Sequence, residues 1–114
     1  MMNTNAVPDN FAKRLYVLLL KRAVNKRLIS ISEIIQKFGL SNDAGTRELV
    51  IVPTLGTIDS LNDIQESPRL STLVFDGDEN LIYPEYWIYP DICNEKKKLN
   101  TEKIREHLFN YYDL

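Results

Sequence analysis

"KRLISISEIIQKFGLSNDAGTRE", residues 26–48, carries the densest local instructions in the chain. Ser30 and Glu33 stand in an S-x-x-E capping box, where a serine oxygen takes up the backbone amide three residues on. Ile29 and Ile34 stand where a hydrophobic staple closes over such a cap, and Gly39 stands where a left-handed residue ends a helix. Ile31, Ile34, Ile35 and Phe38 repeat at i, i+3, i+4 and i+7. A short helix over Ile31–Phe38 follows, its apolar stripe turned to a core. Leu40 then leads into "SNDAGT", residues 41–46, which is rich in side chains that hydrogen-bond their own backbone.

Immediately downstream, "LVIVPTLGTI" (residues 49–58) is ambiguous. Pro53 removes a backbone donor and disfavours helical geometry at Val52, so residues 48–53 stay open between helix and strand. Leu55, Ile58, Leu61 and Ile64 predict a helix over 54–63 whose exposed face offers Thr57, Asp59, Ser60 and Asn62. A base-reading helix carries Arg, Lys, Asn or Gln toward base edges. This one has only Asn62 and, upstream, Arg47.

Upstream of the capping box, residues 10–25 place Ala12, Leu15, Tyr16, Leu19, Leu20 and Ala23 on one helical face, with Lys13, Arg14, Lys21 and Arg22 on the other. Pro8 and Asp9 serve as start signals, and residues 1–9 are expected to be a flexible lead-in to one domain over 10–114. After Pro68 the texture changes. "RLSTLVF" (69–75) and "LIYPEYWIYP" (81–90) are β-branched and aromatic, and "DGDEN" between them reads as a hairpin loop. Pro84 and Pro90 push the second strand to an edge. Residues 91–98 read as a charged connector, and a last helix starts near Asn100 or Thr101, with Ile104, Leu108 and Tyr111 on one face. Three helices, a hairpin and a C-terminal helix make an α+β, winged-helix-like fold.

The segment "ISISEIIQKFGL" (29–40) is similar to the "I-x-Y-x-E-hydrophobic-A-x-x-x-G" segment of winged-helix domains in alkylguanine alkyltransferases and their catalytically dead relatives. The run over 15–75, with "LGTI" and "SPRLSTLV", also resembles a group of small uncharacterised bacterial proteins. The resemblance implies a winged helix and, for the second group, a bacterial, phage or mobile-element setting. The chain departs from both patterns. The alkyltransferase Pro-Cys-His-Arg nucleophile motif is absent, Cys93 being followed by Asn94, and "DENLIYPEYW" replaces the glycine-rich tail of the bacterial group.

Composition limits the function classes. With 114 residues, 44% hydrophobic and 26% charged, the chain suits one ordinary globular core. Its formal charge of -2 supplies no global attraction for phosphate, so nucleic-acid contact would need a local patch. The single cysteine, Cys93, and single histidine, His107, have no catalytic or metal spacing around them, and no enzyme activity or cofactor is expected. Asp76, Asp78 and Asn80 have the start of a calcium loop, but Leu81 replaces its glycine and Trp87 its bidentate glutamate. The absence of a signal sequence or a long apolar run leads to an expectation of a cytoplasmic protein off the membrane.

Two binding readings remain. Tyr83, Tyr86, Trp87 and Tyr89 cluster beside Asp76, Asp78, Glu79 and Glu85, and aromatic residues dominate interface energetics. That hairpin suits a partner protein, a basic one by charge, in an immunity, anti-defence or accessory role, and a homodimer is compatible with it. Alternate aromatics facing the core are the plainer account of the same residues. The alternative is a DNA-binding regulator that uses Lys13, Arg14, Lys21, Arg22, Arg47, Lys96, Lys97 and Lys98, against the plainer reading of solvated charged faces.

Overall fold

The first helix, α1, spans Phe11–Val24 and buries Phe11, Leu15, Leu19 and Ala23, a stripe at four-residue spacing. This is the face expected from the sequence, extended by Phe11. The computed structural model describes residues 10–77 and 94–113, so Pro8 and Asp9 fall outside it. Asn10 precedes the helix in a left-handed conformation, with no side-chain cap.

The chain then forms strand β1, Ile29–Ser30, and helix α2, Ile31–Phe38. The expected cap is present. Ser30 is extended, its Oγ accepts from the Glu33 amide at 3.0 Å, and Gly39 closes the helix at φ 63°. Ile29 and Ile34 are both fully buried. The Glu33 carboxylate turns back toward the Ser30 amide, which helps lower its pKa, and it also receives Arg22 Nη2 of α1 at 2.8 Å, so the box is tied to the first helix as well.

Residues 48–53 are helical. A single turn, α3 (Ala44–Thr46), runs into a π-helical turn (Arg47–Ile51) and on into α4, Val52–Ile64. Val52 itself is right-handed helical, at φ -60° and ψ -49°. The π turn is how the chain accommodates Pro53. The Val52 amide bonds five residues back to the Arg47 carbonyl, the wider ring that places a residue lacking an N–H at the start of a fresh α-helical stretch.

The exposed face of α4 is not the expected one. Leu55, Ile58, Asp59 and Asn62 are buried, whereas Leu61 and Ile64 are exposed. Residues 55, 58, 59 and 62 follow the i, i+3, i+4, i+7 rule, whereas three-residue steps from 55 to 64 drift round the helix. Asn62 is buried because it organises the connection from α4 to the next element. Its Oδ1 accepts from the Leu70 amide at 2.9 Å, and its carbonyl accepts from the Ser67 amide at 2.9 Å.

Residues 69–75, expected to be a strand, form a 3-10 turn over Leu70–Leu73 and extend only at β2, Val74–Phe75. All four residues of the turn are buried, and this position between α1, α4 and α5 rewards compact backbone over a ladder. β2 pairs with β1 in parallel, Ile29 opposite Val74 and Ser30 opposite Phe75. The other expected strand, 81–90, lies outside the described residues.

The last helix, α5, spans Asn94–Tyr111, starting before the expected Asn100. Residues 94–98, read from sequence as connector, are therefore helical backbone. Leu108 is fully buried, and Arg105 Nε donates to the Thr72 carbonyl at 2.7 Å. Phe109 and Tyr112 pack on the core, and Tyr111, expected inside, is exposed, which turns the inward face by about one residue. The result is an α-rich α+β fold with a two-stranded parallel sheet. Among the described residues no helix is long and apolar enough to cross a membrane.

Candidate functional site: a basic groove and an apolar helix flank

The charged back of α1 does not stand alone. The Phe38 ring meets Phe11 edge-on, with centroids 4.9 Å apart and planes at 86°, which brings the end of α2 against the start of α1. Between them lies a groove of about 800 Å³, lined by Asn10, Lys13, Arg14, Val17, Leu18, Lys21, Lys37 and Phe38. Four cations and no carboxylate line it. Lys13, Arg14 and Lys21 make no ion pair among the described residues, and Lys37 lies one turn beyond Glu33 and helps lower that carboxyl's pKa, after Arg22. The floor is apolar, with Val17 exposed and Leu18 and Phe38 half-buried.

The other cations expected to face a ligand do something else. Arg22 is a brace. Nη1 donates to the Leu28 carbonyl at 2.7 Å while Nη2 holds Glu33, so its fork ties α1 to the connection and to α2. That hydrogen bond and the guanidinium charge hold the Glu33 carboxyl below the usual range. Arg47, in the π turn, has its Nε 3.8 Å from the Asp76 carboxylate just after β2. A residue singled out for DNA thus meets one singled out for protein binding. Lys96, Lys97 and Lys98 lie in α5, with their side chains outside the described residues. Asp78, Glu79, Tyr83, Glu85, Tyr86, Trp87 and Tyr89 lie outside them altogether, as does Cys93.

A second surface was not expected from sequence. On the open side of the π turn and α4, Leu49 is 78% and Ile64 80% exposed, with Leu61, Pro53, Thr57 and Ser60 also exposed. Monomer surfaces do scatter single apolar residues, but these come from one continuous helical segment with no Lys or Arg after Arg47. The signal that could have found them is the choice of stripe, since an i, i+3, i+4, i+7 reading from Leu55 leaves Leu61 and Ile64 outside.

Beneath α4, Asp59 is 4% exposed, and burial raises its pKa from 3.8 to about 6, with the nearby Ser71 hydroxyl and Arg69 opposing. Asp59 Oδ1 and Ser71 Oγ are both buried without a well-formed hydrogen bond. The Asp63 carboxylate adds to the rise, and the Asp59–Ser71 pair marks a packing compromise at the α4 contact with the 3-10 turn. Among the described residues no three metal-ligating side chains converge, and His107 is exposed on α5. Comparison of the chain with models of protein families, with curated proteins and with solved structures finds no match.

Proposed function

We propose that the chain is a non-catalytic protein-binding module on a winged-helix-like frame, serving as an immunity, anti-defence or accessory protein. The frame is supported by the order α1, β1, α2, α4, β2. The observation that carries the function is the flank of α4. In a winged helix this is the base-reading element, and here it presents Leu61, Ile64 and, from the π turn, Leu49, without a cation aimed outward. Such a face suits apolar side chains of a partner better than base edges. The aromatic run 83–89 adds a second contact in this reading. The alternative, a DNA-binding regulator, is favoured by one observation, the cluster of Lys13, Arg14 and Lys21 on α1.

Affinity capture of the tagged protein from its native host, with and without nuclease, separates the two. One stoichiometric partner that survives nuclease and is lost on Ile64→Ser is expected, since a central apolar anchor is worth more than about 2 kcal/mol. A nuclease-sensitive set of partners, retained by Ile64→Ser and lost on Lys13→Glu, would overturn the proposal.

A further inference from the structure

The groove between α1 and α2 combines two features that one ligand must satisfy together. Its ends are positive: Lys13 and Arg14 come from the first turn of α1 and Lys21 from two turns later, with Lys37 on the α2 side. Between those ends Val17, 42% exposed, sits with Phe38 on an apolar floor. At 1.5 Å per residue, Lys13 and Lys21 are separated by about 12 Å along the axis, the length of about two helical turns.

We propose that this groove docks an acidic amphipathic segment of a partner protein, with carboxylates at its two ends and an apolar side chain between them. Charge complementarity is the first argument. In a chain of net charge -2, four cations gather here without a lining carboxylate, while Arg22 on the same helix is consumed in internal bonds. The apolar floor is the second. A phosphodiester backbone presents charged oxygens along its outer face and gains nothing from covering Val17 and Phe38, whereas a partner with a matching apolar side chain gains by removing them from water. No residue of α4 lines the groove, so this surface stands or falls separately from the α4 flank.

The probe is a dye-labelled helical peptide of about 12 residues, with paired glutamates at each end and a central leucine. Fluorescence anisotropy is read against the full chain at low and physiological salt. Binding is expected to weaken by about tenfold on Lys13→Glu/Arg14→Glu, on Val17→Ser, and on replacing the peptide's leucine by serine. Arg27→Glu, an exposed cation outside the groove, should leave it unchanged. Circular dichroism of each variant and Arg14→Gln as a milder exchange separate lost binding from lost fold. Absence of peptide binding would overturn the proposal. So would affinity indifferent to Val17 and to the peptide's leucine but competed away by mixed-sequence duplex DNA, which would make the groove a phosphate-binding surface.

Discussion

Ser30 and Asp59 show opposite ways of handling a polar side chain at a helix. The Ser30 oxygen satisfies the Glu33 amide at the open end of α2. Ser30→Ala leaves that donor without its partner and should cost on the order of 1 kcal/mol, read as a lower urea midpoint with unchanged slope. Asp59 is ionised above a pKa of about 6 in a place that resists the charge. Because its folded pKa is raised, its favourable contribution is complete below about pH 4 and is lost as pH rises through 6. The gap between 3.8 and about 6 corresponds to at most about 3 kcal/mol at neutral pH. Asp59→Asn should therefore stabilise the protein at pH 7 and change little at pH 4. An equal effect at both pH values in paired urea melts would show that ionisation of Asp59 is not the source.

At the scale of elements, Arg22 decides how α1 meets α2. Its guanidinium reaches the Leu28 carbonyl and the Glu33 carboxylate at once, a fork that a lysine ammonium cannot reproduce. Arg22→Lys keeps the charge but should cost about 1–2 kcal/mol of stability. A melting temperature unchanged by this exchange would show that the brace is unimportant. The same residue marks the limit of sequence reading. Helix α2 is legible because its cap, staple and stop lie within about ten residues of one another and act locally. The basic back of α1 is legible too, but periodicity alone cannot separate Arg22, which turns inward to α2, from Lys13, Arg14 and Lys21, which stay on the groove. Lys37 joins that set only through the Phe11–Phe38 contact. The stripe of α4 is hidden from sequence because it buries Asn62 for the sake of the Leu70 amide, a partner eight residues on that no helical wheel contains. The expected strand over 69–75 fails for a related reason. Its β-rich composition reflects burial on several sides, and a buried 3-10 turn satisfies that as well as a strand does.

For the molecule as a whole, the distribution of charge matters more than its sum. Two of the arginines that could have faced phosphate are engaged internally, Arg22 with Glu33 and Arg47 with Asp76, whereas four cations line the groove, a cluster open to a ligand among the described residues. Four phosphate contacts would give a slope of log affinity against log salt no steeper than about -3.6. Lys96, Lys97 and Lys98, if all three also touched phosphate, would add about -2.7. With negative net charge over the rest of the surface opposing approach, mixed-sequence duplex DNA should bind no tighter than the roughly 10⁻⁴–10⁻⁶ M of non-specific contacts at physiological salt. A fluorescence titration across salt concentrations measures both quantities. Tight binding with a slope beyond about -6, insensitive to Ile64→Ser and to Trp87→Ala, would require the basic tail and the groove to act as one nucleic-acid surface. That result would reverse the assignment of this frame to protein recognition. A shallow slope with weak affinity would favour the apolar flank of α4 formed by Leu49, Leu61 and Ile64 as the face for a partner.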